Sequence, residues 1–169
     1  EELVKKVLGF IESYQIPWSQ VILGGFSQGA MLSTEIYLQA PETPKGLISF
    51  SGSLVRKTIW QKLMSARKNK RVFLSHGEQD PVLPIKGTFA LQTLLKQNEI
   101  QTDLITFAGG HEIPWKAIEK AKANNIDLKI ADKEIEKQTL LKKTAFQVDP
   151  LQVQYQGGQF NSVDYEIGR

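Results

Sequence analysis

The segment Val21–Ala30 constrains the fold of this chain more than any other stretch. It reads Val-Ile-Leu-Gly-Gly-Phe-Ser-Gln-Gly-Ala, and apolar residues at helical spacing follow it. A short apolar run, a glycine-rich stretch and a helical pattern predict a buried strand, a sharp turn and a helix. The turn fits the pattern G-x-S-x-G, which in this context predicts a serine exposed at the end of a strand.

The chemistry expected of Ser27 follows from that turn. A strained turn between strand and helix pushes the hydroxyl out to where a base and a substrate can both reach it. The crowding of the two elements favours residues without a Cβ, which is the expected reason for Gly25 and Gly29. Gln28 begins the helix, so its N–H is the predicted donor to a developing oxyanion. The alternative is a glycine-rich turn whose serine has no chemical role.

Strands and helices alternate along residues 1–125. The apolar spacing predicts helices over about 2–14, 27–39, 59–64, 89–98 and 114–124, and strands over 21–24, 47–50, 72–74 and 102–107. Short, continuously apolar strands are typical of a parallel sheet with helices on both faces. The predicted class is therefore α/β with a doubly wound, mostly parallel sheet. In such sheets the chemistry gathers in the loops at the carboxyl ends of the strands.

Two more residues with suitable chemistry lie at predicted strand ends. Asp80 follows the third strand, and an aspartate there can accept the Nδ1–H of a histidine and fix its tautomer. His111 follows the fourth strand on a loop that begins Gly109-Gly110. The order Ser27, Asp80, His111 is that of the α/β hydrolases.

Each assignment has an alternative. Asp80 precedes a proline, so it could be an ordinary turn residue, and Glu78 is a competing acid in the same loop. The second histidine of the chain, His76, is expected to hydrogen-bond and shape the Asp80 loop. Metal binding by the two histidines has no supporting ligand spacing, so no metal site is predicted.

Three segments together resemble a known family. Gly-Gly-Phe-Ser-Gln-Gly-Ala, His-Gly-Glu-Gln-Asp-Pro-Val-Leu-Pro and Gly-Gly-His-Glu-Ile are similar to the motifs of the phospholipase/carboxylesterase family of α/β hydrolases, which includes the acyl-protein thioesterases. The resemblance covers about residues 1–125. It implies Ser27 as nucleophile, His111 as general base and then acid, Asp80 as its orienting partner, and Gln28 in the oxyanion hole.

The resemblance also implies a function. The expected enzyme is a serine carboxylesterase or thioesterase that forms an acyl-enzyme on Ser27 and needs no cofactor. The implied substrates are small carboxylic esters, lysophospholipids or acyl thioesters. Leu54, Val82 and Trp115 are candidates for an acyl pocket, with core packing as the alternative. A dienelactone-hydrolase-like or peptidase-like member is a weaker alternative within the same fold.

One departure from the family pattern concerns the residues before Val21. Family members have several strands and a second oxyanion loop there, whereas this sequence has one predicted helix. The catalytic region is therefore expected to be N-terminally incomplete, the C-terminal portion of the fold. A second chain, a homo-oligomer or the tail could complete the sheet. The alternative function is a catalytically incompetent binding or structural module, because one missing oxyanion donor can cost about a hundredfold in rate.

The tail, residues 126–169, is expected to be an extension of unknown role. The spacing predicts a helix over 131–146, and alternating residues over 151–156 and 163–167 predict a β-hairpin. The chain is therefore expected to have two regions, the hydrolase-like region 1–125 and the extension 126–169.

Composition limits the other function classes. The net charge is +3, and the densest basic run is Arg67–Arg71. This run is interpreted as a solvated helix end, so no nucleic-acid partner is expected. No apolar run is long enough for membrane insertion. The first residues lack the pattern of a signal peptide, and a cytoplasmic location is expected.

Overall fold

The computed structural model describes residues 2–125, and its elements alternate as the sequence predicts. The helices are α1 (Glu2–Ser13), α2 (Gln28–Gln39), α3 (Lys57–Met64), α4 (Lys86–Gln97) and α5 (Trp115–Asn125). The strands are β1 (Ile22–Phe26), β2 (Gly46–Phe50), β3 (Arg71–Gly77) and β4 (Gln101–Phe107). Two short 3-10 turns, Trp18–Gln20 and Ser65–Arg67, were not predicted.

The four strands form one parallel sheet in the order β1-β2-β3-β4. Each crossover contains a helix, as parallel pairing requires. Because all strands run the same way, their carboxyl ends lie along one edge of the sheet, and the loops that follow them lie side by side. Among residues 2–125, β1 and β4 are the edge strands.

The main core lies on one face of the sheet. Leu23, Leu47, Val72 and Leu74 point to this face and pack with buried side chains of α2, α3 and α4. Side chains alternate along a strand, so Phe73, which is fully buried, points to the opposite face. Helix α5 contacts β3, and its buried alanines belong to no part of the main core, which places α5 on that second face. The described residues therefore form an α/β fold, a parallel sheet with helices on both faces.

The sequence analysis interpreted the basic run 67–71 as a solvated helix end. For its first residue, Arg67, that interpretation is wrong. Arg67 is 4% exposed, and its guanidinium donates to the carbonyls of Tyr37, Leu38 and Ala40. These carbonyls lie at the C-terminal end of α2, where helical carbonyls have no partners within the helix. Burial lowers the pKa of Arg67 and raises the pKa of neighbouring Tyr37 to about 12. Arg67 is thus a buried cap and not a solvated charge.

The predicted tail helix and hairpin lie outside the described residues. Within residues 2–125, none of the helices has the length and apolar character needed to cross a membrane.

Candidate active site

Ser27, His111 and Asp80 form one hydrogen-bonded row at the carboxyl ends of the strands. Nε2 of His111 lies 2.8 Å from Oγ of Ser27, and Nδ1 lies 2.6 Å from Oδ2 of Asp80. A carboxylate can only accept, so the proton of His111 is on Nδ1 and Nε2 accepts the Ser27 hydroxyl. The structure thus brings together three residues that the sequence placed at separate strand ends.

The backbone of Ser27 explains its exposure. Its φ is 56° and its ψ is −121°, a conformation that L-residues rarely adopt and that stores strain. The Ser27 N–H donates to the carbonyl of Phe50 at 2.9 Å, which fixes the turn to the end of β2. The Ser27 carbonyl accepts from Ala30 and Met31 and begins the helical bonding of α2.

The two glycines of the turn have different roles. A Cβ on Gly25 would lie 2.4 Å from the backbone carbon and oxygen of Gly29, so the close approach of strand and helix requires glycine there. A Cβ on Gly29 would meet no atom of residues 2–125 within 4 Å. The expected crowding is therefore confirmed for Gly25 and wrong for Gly29.

Asp80 accepts three hydrogen bonds. Its Oδ1 accepts the backbone N–H groups of Val82 and Leu83, each at 2.8 Å, and its Oδ2 faces His111 and His76. Burial favours the neutral acid, but the hydrogen bonds from His111, Leu83 and Val82 outweigh it and lower the pKa of Asp80. The carboxylate is therefore ionised beside His111. The competing acid, Glu78, instead accepts from Thr106 at 2.7 Å.

The loops that carry Asp80 and His111 are fastened to each other. The N–H of Glu78 donates to the carbonyl of Phe107, and the N–H of Gln79 donates to the carbonyl of Gly109. A Cβ on Gly77 would lie 2.1 Å from the carbonyl oxygen of Gly110. Glycine at position 77 therefore allows the two loops to touch.

Phe26 supports the His111 ring, a contact that the sequence analysis missed. The two ring centroids are 4.6 Å apart, with planes tilted by 41°. Phe26 is the variable residue that precedes the serine of the motif, and an aromatic residue there was the available signal.

Gln28 opens α2 directly after Ser27, at the end of the helix where backbone N–H groups point outward. This position agrees with its predicted place beside the Ser27 hydroxyl. Its oxyanion role remains a prediction.

The three predicted pocket residues lie in different environments. Leu54 packs against the main core. Val82 and Trp115 are 61% and 67% exposed. A cavity of about 550 Å³ lies elsewhere, between the C-terminal end of α2 and α3, and none of its lining residues belongs to the Ser27 row. Substrate contact by Leu54, Val82 and Trp115 therefore remains a prediction.

Over residues 2–125, no three histidine or acidic side chains are grouped as a metal site would need. His76 instead contacts Asp80 and Thr88.

Residues 1–127 match the sequence profile of the Phospholipase/Carboxylesterase family. Acyl-protein thioesterase 1 of Neurospora crassa is 30% identical over 132 residues, which cover 74% of this chain and 54% of that protein. Acyl-protein thioesterase 1 of Eremothecium gossypii is 34% identical over 90 residues, or 53% of this chain and 38% of that protein. The chain thus spans about half or less of these relatives.

Solved structures share the fold. The esterase PE8 superimposes with a TM-score of 0.64 at 29% identity, over 72% of this chain and 56% of the other. Arabidopsis thaliana SOBER1 gives a TM-score of 0.65 at 24% identity, over 72% of this chain and 60% of the other. At 24% identity, the similarity to SOBER1 concerns the fold alone.

Proposed function

The chain belongs to the phospholipase/carboxylesterase family, and from that premise we propose that it is a serine hydrolase that cleaves carboxylic esters or thioesters through an acyl-enzyme on Ser27. The observation that carries the proposal is the continuous row of hydrogen bonds from Asp80 through His111 to Ser27. Nucleophile, base and orienting group must be in such contact for the serine to be activated.

The proposed reaction uses these contacts in order. As Oγ of Ser27 attacks the carbonyl carbon, its proton passes to Nε2 of His111, and Asp80 stabilises the imidazolium that forms. His111 then gives the proton to the departing alcohol or thiol. Water resolves the acyl-enzyme by the same steps in reverse. The N–H of Gln28 is proposed as one oxyanion donor, and no cofactor takes part.

The substrate class is proposed from the relatives. The relatives named acyl-protein thioesterase and the structural neighbour named esterase support an acyl ester or thioester. A lysophospholipid is a further member of the proposed class. The exposed side chains of Val82 and Trp115 are proposed to contact the acyl group, and Leu54 is proposed as a third contact.

The experiment is hydrolysis of p-nitrophenyl acetate and butyrate by the chain and by its Ser27→Ala variant. The variant should lose at least about 10⁴-fold in kcat. Ser19→Ala, which changes an exposed serine outside the row, is the matched control and should keep full activity.

Labelling with a fluorophosphonate gives a second readout. An activated Ser27 should be the modified residue, and Ser27→Ala should remain unlabelled. Absence of both hydrolysis and labelling in the folded chain would reject the enzyme and favour a binding or structural module on the same scaffold.

A further inference from the structure

The cavity between the C-terminal end of α2 and α3 has no part in the proposed reaction. Its volume of about 550 Å³ is that of a site for a small organic molecule. Leu38, Ile59 and Leu63 belong to its apolar lining. Several other lining residues, among them Lys62 and Ser65, are exposed, so the cavity is open to solvent.

Three cationic side chains line this cavity, those of Arg56, Lys62 and Arg67, and none of the described lining residues is acidic. Nη1 of Arg56 lies 2.8 Å from Oε1 of Glu35. Glu35 is 5% exposed and also accepts the indole N–H of Trp60, so its charge is used within the protein. The ion pairs among residues 2–125 include neither Lys62 nor Arg67.

Arg67 is the buried cation of the three, with 4% exposure. Its Nε and Nη2 donate to the three carbonyls at the end of α2. Its Nη1 has two long contacts, 3.4 Å to the carbonyl of Ala66 and 3.5 Å to Oγ1 of Thr43. Ordinary N–H···O bonds measure about 2.7–3.2 Å. Nη1 is therefore poorly satisfied by the described residues and can donate to a further acceptor.

The charge balance of the cavity favours a ligand with one negative charge. Glu35 neutralises Arg56, which leaves the charges of Lys62 and Arg67. Helices α2 and α3 both end at the cavity, and each C-terminal end contributes about half a negative charge. The two helix ends therefore offset about one of the two remaining positive charges.

We infer that this cavity binds a small organic carboxylate. The carboxylate lies against Lys62 and Arg67, where it supplies the acceptor that Nη1 of Arg67 lacks, in a charge-assisted hydrogen bond. An apolar group of a few carbons lies against Ile59 and Leu63. The inference does not depend on the proposed function, because none of the lining residues belongs to the Ser27 row.

The first test is titration of the full chain with sodium hexanoate, followed by the NMR signals of side-chain methyl groups. The methyl signals of Ile59 and Leu63 should shift and reach saturation. Hexanamide keeps the carbon chain without the charge, and acetate keeps the charge without the carbon chain. Each should bind about tenfold more weakly than hexanoate or less tightly still. Equal binding of hexanoate and either control compound would overturn the proposal.

A matched pair of variants on α3 gives the second test. Lys62 and Lys57 are both exposed, but Lys57 is not a lining residue and lies about 140° around the helix axis from Lys62. Lys62→Gln should weaken hexanoate binding about fivefold. Lys57→Gln should leave it nearly unchanged at physiological salt, which screens distant charges. Equal weakening in the two variants would show a general attraction of charge and would overturn the proposal.

Binding of hexanoate near Ser27 must be distinguished from binding in the cavity, because a carboxylate is also a product of the proposed reaction. Shifts confined to the methyl groups of Leu54 and Val82, with no effect of Lys62→Gln, would overturn the proposal. Ser27→Ala should bind hexanoate in the cavity as the wild type does. Cavity binding in a chain that hydrolyses no ester would support this inference and reject the proposed function, and hydrolysis without cavity binding would do the reverse.

Discussion

Nε2 of His111 lies 2.8 Å from Oγ of Ser27, although 84 positions of sequence separate the two residues. Ser27 follows β1 and His111 follows β4, which are the opposite edges of the described sheet. With strands about 4.8 Å apart, these edges are separated by roughly 14 Å. The loop after β4 must therefore cross the carboxyl ends of the inner strands to bring His111 to Ser27. The contact of this loop with β3 determines whether His111 is correctly placed.

Gly77 is the residue of β3 that makes this contact. A Cβ there would lie 2.1 Å from the carbonyl oxygen of Gly110 and 2.5 Å from that of Gly109. Gly77→Ala should therefore push the His111 loop away from Ser27 and lower kcat/KM about a hundredfold, because misplacement of a reacting group by about 1 Å has costs of that size. Ester hydrolysis measures the effect.

The control for Gly77 is Gly46→Ala, where a Cβ would meet no described residue within 4 Å. Gly46 lies at the first residue of β2, far from the loops. Its variant should keep the wild-type rate. Equal rates for Gly77→Ala and wild type would contradict the role given to this contact.

Gly25 and Gly29 form a second matched pair. Gly25→Ala drives a Cβ into the backbone of Gly29 and Ala30, so it should lower the free energy of unfolding by about 1–3 kcal/mol. The added Cβ of Gly29→Ala meets no atom in the described part of the chain. Position 29 lies in the first turn of α2, where alanine should be neutral or slightly stabilising. Urea unfolding followed by circular dichroism distinguishes them, and equal destabilisation would contradict the prediction.

Much of this site could be predicted because its signals are local. The serine motif, the Asp-Pro turn and the Gly-Gly-His loop each follow an apolar run, and parallel strands bring their carboxyl ends to one edge. Strand bounds were predicted too short, as for β3, which continues through Ser75, His76 and Gly77. Polar residues broke the apolar pattern there although the strand is buried from Val72 to Gly77.

The contacts that the sequence did not reveal are long-range and depend on exact packing. Arg67 caps α2 from a segment about 30 positions away, and no local pattern separates it from its solvated basic neighbours. Thr88 reaches both His76 and Gly52 because α4 packs at one particular height against the strand ends. Likewise, glycine is required at position 25 but not at position 29. This difference can be seen only from the positions of the backbone atoms.

Asp80 should contribute to stability in a pH-dependent way. Its pKa in the folded chain lies below the ordinary value of 3.8, so the unfolded chain takes up a proton at higher pH than the folded chain. The stabilisation is therefore complete above the ordinary pKa and is lost as pH falls through the lowered one. Asp80→Asn should be less stable than wild type by about 1–3 kcal/mol at pH 7, and the difference should shrink below about pH 4.

Urea unfolding at a series of pH values from 7 to 3 measures this difference. Glu42→Gln, at an exposed position, is the control and should follow the wild-type curve. A difference between wild type and Asp80→Asn that stays constant down to pH 3 would show that the Asp80 carboxylate is not stabilised by folding.

Replacement of Ser27 by glycine should increase the free energy of unfolding. Its φ of 56° is a conformation that costs a non-glycine residue about 1–3 kcal/mol and glycine almost nothing. Ser27→Gly should therefore abolish ester hydrolysis and raise the free energy of unfolding by about 1 kcal/mol, after the added flexibility of the unfolded chain is counted.

Ser27→Ala separates strain from the loss of the hydroxyl. It removes the same hydrogen bond to His111 but keeps the Cβ, so it should lose activity without the full gain in stability. Thermal unfolding of the three proteins, with labelling by a fluorophosphonate as the check on Ser27, provides the comparison. If Ser27→Gly proves no more stable than Ser27→Ala, then the turn is not strained at this residue, and the exposure of the Ser27 hydroxyl must come from the packing of Gly25 against α2 alone.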